Sequence, residues 1–133
     1  MIIGYTTGVF DMFHVGHLNI LMRAKSLCDY LIVGVSTDEL VQREKKKNPI
    51  IPFHDRCRIV EAIKYVDRVV PQINKDKLGA WKEYHFDKMF VGSDWNGTVA
   101  WKHYEEQFQP LGVEIIYLPH TDGISSTMLR EKL

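Results

Sequence analysis

Two histidines, His14 and His17, lie in a stretch, residues 8–17, whose residue types suit the binding of an anion. Three residues apart, they share one face of the first turn of a helix, where unpaired backbone N–H groups and the helix dipole favour negative charge. Two imidazoles there can donate hydrogen bonds to phosphate oxygens without carrying a full charge. Gly8 and Gly16 allow the backbone to approach a ligand closely. The stretch therefore predicts a phosphate-binding turn.

Two other interpretations of this histidine pair start from its spacing alone. The histidines could be ordinary helix caps, or they could be half of a metal site. Zinc-binding histidines on a helix usually stand four residues apart and need a third ligand, whereas these stand three apart. The strand and helix patterns on either side of the pair favour the phosphate-binding turn.

A strand and a helix must position this turn. The first seven residues are apolar and rich in β-branched side chains, which is typical of a buried strand. After the turn, apolar residues recur at helical spacing, namely Leu18, Ile20, Leu21, Ala24 and Leu27. The passage from a strand into a helix is where open α/β sheets bind their ligands.

Length and composition limit the classes to which the chain can belong. Its 133 residues, 45% of them hydrophobic, suffice for one domain with a core, so residues 1–133 are predicted to form a single domain. Acidic and basic residues number 17 each, and this zero formal net charge argues against a nucleic-acid or membrane-surface partner. No apolar run reaches transmembrane length and no signal-peptide pattern opens the chain, which predicts a cytoplasmic protein.

Strand and helix patterns alternate along the rest of the chain. Four further strands are predicted at residues 30–36, 66–71, 88–92 and 112–119, with Pro71 ending the second of them. Helices are predicted after Thr37, from Pro52 to Tyr65, across 76–86 with an interruption at Gly79, across 101–108 and at 128–130. This alternation predicts an α/β fold: a single Rossmann-like domain with a five-stranded parallel sheet and helices on both faces.

Two further segments would meet the histidine turn at the carboxyl edge of such a sheet. Residues 43–49 form a basic loop, which could be a solvated charge run or could fold over a nucleotide with its lysines. Residues 123–127 contain a glycine bend followed by Ser125, Ser126 and Thr127. Hydroxyl and N–H groups at such a helix start suit either a plain cap or a phosphate.

Two aspartates near the same edge have two interpretations each. Asp94 could accept a ribose hydroxyl with Trp95 flanking the base, or the loop could be only a turn with a packed tryptophan. Asp11 could shape the phosphate turn or help to hold a magnesium ion. All these segments follow predicted strands, so they are expected to gather at one site.

Together these motifs resemble those of the nucleotidyltransferase superfamily, and within it the small bacterial cytidylyltransferases, of which glycerol-3-phosphate cytidylyltransferase is the reference. The superfamily signature is the His-x-Gly-His element formed here by His14, Gly16 and His17. The Asp94-Trp95 loop and the Gly-Ile-Ser segment at Gly123 narrow the resemblance to the cytidylyl branch. The likeness covers nearly the whole chain, through residues 8–11, 36–39, 65–69, 92–95 and 121–125.

The resemblance implies an activity and a role for particular residues. It implies the transfer of CMP from CTP to a small phosphorylated alcohol, with glycerol 3-phosphate favoured, and release of pyrophosphate. It implies three catalytic residues, His14, His17 and Lys46, the lysine bridging the two substrates. It implies Mg²⁺ as a cofactor, with no ligands identified, and a homodimer. The implied nucleotide-binding residues are Val9, Phe10, Asp11, Val15, Gly16, Asp94, His120, Thr121, Gly123, Ile124, Ser125, Ser126 and Thr127.

Other functions remain open on the same residues. One is an adenylyltransferase of the same fold, of the FAD synthetase or pantetheine-phosphate type; another is a catalytically silent nucleotide-binding module. Three positions also depart from the family pattern, because His120 and Lys64 replace arginines and Glu44 replaces a lysine. Neither lysine nor histidine reproduces the bidentate fork of arginine at a phosphate. The departures preserve the reaction type and leave the acceptor open.

Overall fold

Strands and helices alternate in the computed structural model, which describes residues 1–121 and 123–132. The strands are β1 (Ile3–Gly8), β2 (Tyr30–Ser36), β3 (Arg68–Gln72), β4 (Lys88–Gly92) and β5 (Glu114–Leu118). The helices are α1 (Val15–Ser26), α2 (Asp38–Lys45), α3 (Phe53–Glu61), α4 (Lys77–Tyr84), α5 (Val99–Phe108) and α6 (Ser126–Glu131), with 3₁₀ turns at Ser93–Trp95 and Gln109–Leu111. Within the described ranges, no helix combines the length and apolar character needed to span a membrane.

All five strands join one parallel sheet in the order β3-β2-β1-β4-β5. The chain steps outward from β1 through β2 to β3, then crosses to the other side of β1 for β4 and β5. The strand order therefore reverses between β1 and β4, and sheets of this kind bind ligands beyond the carboxyl ends of the strands at that point. The predicted five-stranded parallel sheet is confirmed, and the histidine turn lies at the switch point.

Helices cover both faces of the sheet, as predicted. On one face, Leu21 of α1 and Val60 of α3 belong to the same apolar core as Val33 of β2. On the other face, Phe108 of α5 shares a second core with Ile32 of β2. Successive side chains of a strand point to opposite faces, so the nearly continuous apolar run of β2 contributes to both cores.

Aspartates fasten the strands to one another at the amino edge of the sheet. Each directly precedes a strand and forms a two-way bridge to one residue on the neighbouring strand or at its start. Its backbone N–H donates to that residue's carbonyl, and its carboxylate accepts that residue's N–H. The pairs are Asp29 with Ile2, Asp87 with Ile3 and Asp67 with Leu31, with carboxylate distances of 2.7, 2.9 and 2.7 Å.

The third strand differs from its prediction at both ends. It begins at Arg68 and continues through Pro71 to Gln72, so the prediction that Pro71 ends the strand is wrong. β3 is an outer strand, and the carbonyl of Gln72 accepts the N–H of Thr37, just beyond β2. The backbone N–H and C=O groups of successive strand residues point alternately toward and away from the neighbouring strand. Because those of Gln72 point toward β2, the nitrogen of Pro71 points away from β2, toward the open edge of the sheet. A proline is tolerated there because the missing N–H has no partner strand.

Two helices also differ from their predictions. α3 ends at Glu61 rather than at residue 65, because the N–H groups of Ile63 and Val66 bond three residues back and tighten the chain into turns. Gly79 does not interrupt α4. A Cβ on Gly79 would come within 2.5 Å of the Asp76 carboxylate, which caps the helix by accepting the Gly79 N–H at 2.9 Å. Glycine therefore makes room for the cap.

Candidate active site

The turn after β1 ends in a helix cap built from two histidines. His14 is the N-cap of α1, and its Nδ1 accepts the N–H of Gly16 at 3.0 Å. His17 returns the bond, since its Nδ1 accepts the N–H of His14 at 3.2 Å. This is a capping box, an arrangement usually made by Ser or Thr with Glu or Gln. The histidines are thus helix caps through Nδ1, and Nε2 of each ring takes no part in the cap.

The cap also determines which ring nitrogen carries the proton. A neutral imidazole has one donor and one acceptor nitrogen, so acceptance at Nδ1 places the proton of each ring on Nε2. Burial lowers the pKa of His14; burial, with a contribution from His14, lowers the pKa of His17 to about 4 against an opposing effect of Asp11. The rings stack with their centroids 3.8 Å apart. The pair therefore offers two neutral N–H donors at a helix N-terminus.

The backbone is strained where the chain leaves β1. Phe10 and Met12 have φ angles of 55° and 48°, in a left-handed region that residues with a Cβ rarely adopt. Such strain persists where the surrounding structure holds it, commonly at functional sites. Two glycines relieve crowding in the same turn. A Cβ on Gly8 would lie 3.0 Å from the buried Phe10 ring, and one on Gly16 would lie 2.8 Å from the His14 ring.

A cavity of about 210 Å³ opens beside this turn. The structure brings the histidine turn, the basic loop and the hydroxyl segment together around it. Cations and hydroxyls around one concave space suit an anionic ligand. Among the residues predicted for the site, it is lined by Val9, Phe10, Asp11, His17, Ser126 and Thr127; the further lining residues are Val41, Lys45, Lys47, Pro49 and Arg130.

Asp11 holds the three segments together. Its buried carboxylate accepts the N–H groups of Ile50 and Ile51, both at 2.9 Å. The same carboxylate accepts Nη2 of Arg130 at 3.3 Å, and the Asp11 carbonyl accepts the hydroxyl of Ser126 at 2.6 Å. Of the two roles considered for Asp11, these contacts favour the shaping of the turn over metal binding.

Arg56 is a positioning residue that the sequence patterns missed. Its side chain is fully buried and donates to the carbonyls of Val9, Ser36 and Ile51 at 2.7, 2.8 and 2.8 Å. It also donates to the carboxylate of Asp38 at 2.6 Å. One guanidinium thereby ties the turn after β1, the end of β2 and the start of α2 together. The pattern around Arg56 showed only a helix with one apolar face, so no local signal separated it from a solvated arginine.

The predicted basic loop of residues 43–49 is shorter in the structure, because residues 43–45 belong to the last turn of α2. α2 ends at Lys45, and Lys46 follows as the C-cap with a φ of 59°. All three lysines are exposed; Lys45 and Lys47 line the cavity, whereas Lys46 lies outside the lining. Burial and then the nearby Lys75, Lys47 and Arg130 lower the pKa of Lys45. The bridging role of Lys46 stays a prediction, with Lys45 and Lys47 as neighbours at the cavity.

The closing segment uses its three hydroxyls differently. Ser125 caps α6 by accepting the N–H of Met128 at 3.0 Å. Ser126 is bonded to the turn and Thr127 lines the cavity. Gly123 has a φ of 80°, which glycine adopts without strain. Only part of this segment therefore lines the cavity.

Other residues predicted for the site lie around the first turn of α1. Thr121 accepts a hydrogen bond from the Asn19 side chain at 2.9 Å. Ile124 lies 3.4 Å from where a Cβ on Gly16 would stand, so the closing segment packs on the start of α1. Val15 is exposed. Asp122, part of the motif quoted above, lies outside the described residues.

Asp94 and His120 pair with each other at the carboxyl end of β4. His120 Nε2 lies 2.9 Å from Asp94 Oδ1, and both side chains are exposed. A Cβ on Gly92 would come within 2.8 Å of each of these atoms, so glycine allows the pair to form. Neither residue lines the cavity. The position that holds an arginine in the resembling family is therefore occupied here by a histidine directed at Asp94.

Lys77 is a second cation that sequence reasoning missed. It is the first residue of α4, its side chain is buried, and its Nζ donates to the Thr7 hydroxyl at 3.3 Å at the carboxyl end of β1. Burial, with the nearby Lys75, lowers its pKa to about 8. Lys77 lines a second cavity of about 220 Å³ between the end of β3 and α4. A lysine in the first turn of a helix is unfavourable beside the positive end of the helix dipole. That unusual position was the sequence signal that could have identified Lys77.

Three aspartates at this edge of the sheet already have partners. Asp11 is bonded to backbone N–H groups, Asp38 to Arg56 and Asp94 to His120. Within residues 1–121 and 123–132, no cluster of three His, Cys, Asp or Glu side chains could hold a metal ion. These residues do not fit a magnesium site made by the protein alone. Mg²⁺ is commonly bound largely through substrate phosphates, and its involvement stays a prediction.

Comparisons with known proteins agree with this geometry. A family model described as cytidylyltransferase-like matches residues 5–132. The chain belongs to this cytidylyltransferase-like family. It is 40% identical over 131 residues to a glycerol-3-phosphate cytidylyltransferase of Bacillus spizizenii, covering 96% of this chain and 94% of that protein. It is 39% identical over 116 residues to an FAD synthase of Pyrococcus abyssi, covering 85% of this chain and 77% of that protein.

A solved structure shares the fold. The lipopolysaccharide core biosynthesis protein of Thermoplasma volcanium matches with a TM-score of 0.74 and 29% identity, covering 91% of this chain and 97% of that one. The predicted family, fold and enzyme class, a nucleotidyltransferase, are confirmed. The roles of individual site residues stay predictions.

Proposed function

We propose that this cytidylyltransferase-like protein moves CMP from CTP to a small phosphorylated alcohol, glycerol 3-phosphate first among the candidates, and releases pyrophosphate. The observation that carries the proposal is the pair of neutral Nε2–H donors on His14 and His17 at the start of α1, beside a cationic cavity. The 40% identity to a glycerol-3-phosphate cytidylyltransferase over 96% of the chain supports this nucleotide and this acceptor.

The reaction is an in-line displacement at phosphorus. An oxygen of the acceptor phosphate attacks the α-phosphorus of CTP, and the new P–O bond forms as the bond to pyrophosphate breaks. The protein positions the two anions and stabilises growing charge, with no covalent intermediate. The two histidines would donate from Nε2 to the α-phosphate and the departing pyrophosphate. Because both pKa values are lowered, they act as neutral hydrogen-bond donors at pH 7.

The cavity cations would hold the remaining phosphates. Lys45 and Lys47 supply positive charge from one side, and Thr127 supplies a hydroxyl from the other. Lys46, in the same loop, is proposed to bridge CTP and the acceptor. In this arrangement, hydrogen-bond donors from separate elements would surround the triphosphate, and the lysines would balance its negative charge.

Lys77 is proposed to bind the phosphate of the acceptor. Within the described ranges, its ammonium group makes one hydrogen bond, to the Thr7 hydroxyl, which leaves donors for an incoming anion. It lies at the carboxyl end of β1, the strand that leads into the histidine turn, so an acceptor bound there would be near the α-phosphate. An anion would also stabilise the charged form of a buried lysine.

An adenylyltransferase of the FAD synthase type is the second candidate. The 39% identity to the Pyrococcus abyssi enzyme favours it, although that match covers 85% of the chain rather than 96%. A silent nucleotide-binding module is the third, and the retained histidines, basic loop and hydroxyl segment argue against it.

Pyrophosphate release separates these candidates. We expect release with CTP and glycerol 3-phosphate, and much less when ATP replaces CTP. Phosphoethanolamine, phosphocholine and other sugar-alcohol phosphates test the acceptor in parallel, and FMN with ATP tests the second candidate. Release with ATP and FMN but not with CTP would overturn the proposal, and no release with any pair would favour the silent module.

Three further properties are proposed with this function. CTP is expected to carry Mg²⁺ on its phosphates as it binds. A homodimer and a cytoplasmic location are also proposed, the first from the family resemblance and the second from the sequence pattern. Gel filtration with light scattering tests the homodimer directly.

A further inference from the structure

Asn96 and Gly97 form an exposed turn between the 3₁₀ turn of Ser93–Trp95 and helix α5. The φ and ψ angles of Asn96 are −64° and 129°, and the φ angle of Gly97 is 83°. With the Thr98 N–H bonded to the Trp95 carbonyl at 3.2 Å, these angles define a type II turn. Its third position requires a positive φ, which glycine adopts without strain.

The Asn96–Gly97 pair is also chemically reactive. The backbone nitrogen of the residue after an asparagine can attack the side-chain amide carbon, and glycine hinders that attack least because it has no Cβ. A Cβ placed on Gly97 would meet no atom within 4 Å, so the peptide plane between the two residues has room to rotate toward the attacking geometry. Within residues 1–121 and 123–132, neither the Asn96 side chain nor the Gly97 N–H makes a hydrogen bond that would oppose this rotation.

The other three asparagines of the chain lack this combination. Asn48 precedes a proline, whose nitrogen carries no hydrogen to lose. Asn19 lies within α1, and its side-chain amide donates to a threonine hydroxyl at 2.9 Å. Asn74 precedes a lysine, and its Oδ1 accepts the backbone N–H of the second residue after it at 3.0 Å. Sequence and structure therefore make Asn96 the most reactive of the four.

We propose that Asn96 is a site of spontaneous deamidation in the folded protein. The Gly97 nitrogen loses its proton and attacks the Asn96 side-chain carbon. The new C–N bond closes a succinimide ring, and the side-chain NH₂ leaves with a proton as ammonia. Water then opens the ring at either of its two carbonyls, which gives aspartate or isoaspartate. The product carries a new carboxylate two residues after Asp94, at the carboxyl edge of the sheet.

Isoaspartate would break the turn in which it forms. Its main chain runs through the side-chain Cβ, so one extra backbone atom separates Trp95 from Thr98. The Thr98 N–H and hydroxyl both donate to the Trp95 carbonyl, at 3.2 and 2.8 Å. The same hydroxyl caps α5 by accepting the Trp101 N–H at 3.4 Å. Because the extra atom displaces Thr98 from both partners, the modified protein loses a helix cap and some stability.

The test incubates the wild-type protein in mildly alkaline buffer at physiological temperature and follows each asparagine by peptide mass spectrometry. We expect Asn96 to exchange its side-chain NH₂ for OH while the other three stay intact, with isoaspartate identified against synthetic peptides. The melting temperature of the aged protein should fall by about 2–6 °C, as for loss of a helix cap.

Two variants serve as matched controls. Asn96→Gln should stay unmodified and keep its melting temperature on ageing, because its longer side chain closes the larger ring far more slowly. Asn74→Gln, which replaces another exposed asparagine, should be modified at Asn96 as fast as wild type. Freshly prepared Asn96→Asp adds the charge without the extra backbone atom and should melt near wild type.

Three results would overturn the inference. The first is modification of another asparagine of the folded protein before Asn96. The second is an Asn96 that stays intact in the folded protein over the time in which it is converted in a urea-denatured sample. The third is a fall in the melting temperature of fresh Asn96→Asp equal to that of the aged protein, which would assign the lost stability to charge rather than to the broken turn.

Discussion

The amino and carboxyl edges of the sheet arrange charge in opposite ways. At the amino edge, the carboxylates of Asp29, Asp67 and Asp87 each accept a backbone N–H from the neighbouring strand or from the residue just before it. At the carboxyl edge, lysine and arginine side chains line a cavity, and Asp11, Asp38 and Asp94 are bonded to other groups of the protein. The carboxylates at the amino edge are hydrogen-bonded without a ligand, whereas the cavity at the carboxyl edge is left with excess positive charge.

The direction of α1 explains part of this difference. α1 ends at the amino edge, where Lys25 donates to the Asp29 carbonyl and Lys88 to the Leu27 carbonyl, near the negative end of the helix dipole. It begins at the carboxyl edge, where the positive end of the helix dipole favours anions. The comparison teaches that one sheet can assign one edge to stability and the other to binding. Substitutions at the two edges should therefore have separable effects.

The largest effect is expected from the histidines. His14→Asn and His17→Gln should each lower turnover about 10²- to 10³-fold, because each removes the imidazole ring that places an Nε2–H donor at the developing charge. Asn at the N-cap and Gln at the third helical position can still form the capping box, so the melting temperature should stay near that of wild type. Steady-state kinetics with thermal melts check this. Wild-type turnover in both folded variants would remove the histidines from catalysis.

The basic loop should give the next largest effect. Lys46→Ala should lower turnover at least about tenfold by removing a charge between two anionic substrates. Because Lys46 is an exposed cap residue, stability should stay within about 0.5 kcal/mol of wild type. Lys45→Ala and Lys47→Ala serve as matched comparisons. A greater loss of turnover in either of these would transfer the bridging role to that lysine.

Lys77 should produce a smaller, pH-dependent effect on the acceptor. Its pKa of about 8 means that the free enzyme loses this positive charge as pH rises through 8. The KM for glycerol 3-phosphate should therefore increase above pH 8, while the KM for CTP changes little. Lys77→Met should raise the acceptor KM about tenfold at pH 7 and abolish the increase. An acceptor KM that still rises above pH 8 in Lys77→Met would contradict this role.

The amino edge should affect stability alone. Asp67→Asn should reduce the free energy of unfolding by about 1 kcal/mol, because the Leu31 N–H and Lys25 lose a charged acceptor, and turnover should not change. Although burial alone would raise the pKa of Asp67, hydrogen bonds from Lys25 and Leu31 lower it below the ordinary 3.8. Its contribution is therefore present above pH 3.8 and lost as pH falls further. Urea unfolding at pH 7 and pH 3 measures both points, and reduced turnover would contradict the separation of the edges.

The parts of the fold and site that sequence could predict depend on local signals. The run from Tyr30 to Ser36 is apolar enough to be a buried strand wherever it lies, and His14 and His17 follow a strand at helical spacing. The switch point then follows from topology, because parallel strands bring their carboxyl ends to one edge. The same reasoning placed the basic loop and the hydroxyl segment near the histidines.

The missed residues depend on contacts between distant segments. Arg56 bonds to Val9 and Ser36, and Arg130 bonds to Asn48, which no helical or strand period records. Pro71 was misjudged because its tolerance depends on which strand is outermost, and strand order is not a local property. Lys77 alone carried a local signal, its position in the first turn of a helix.

The same Pro71 limits how molecules of this protein can associate. An outer strand with a complete row of backbone donors invites another chain to extend the sheet, which is a route to aggregation. Pro71 presents a nitrogen without hydrogen on the open side of β3, so intermolecular strand addition loses a bond at that register. A stable dimer is therefore expected to associate through helices and loops rather than through a sheet continued across β3.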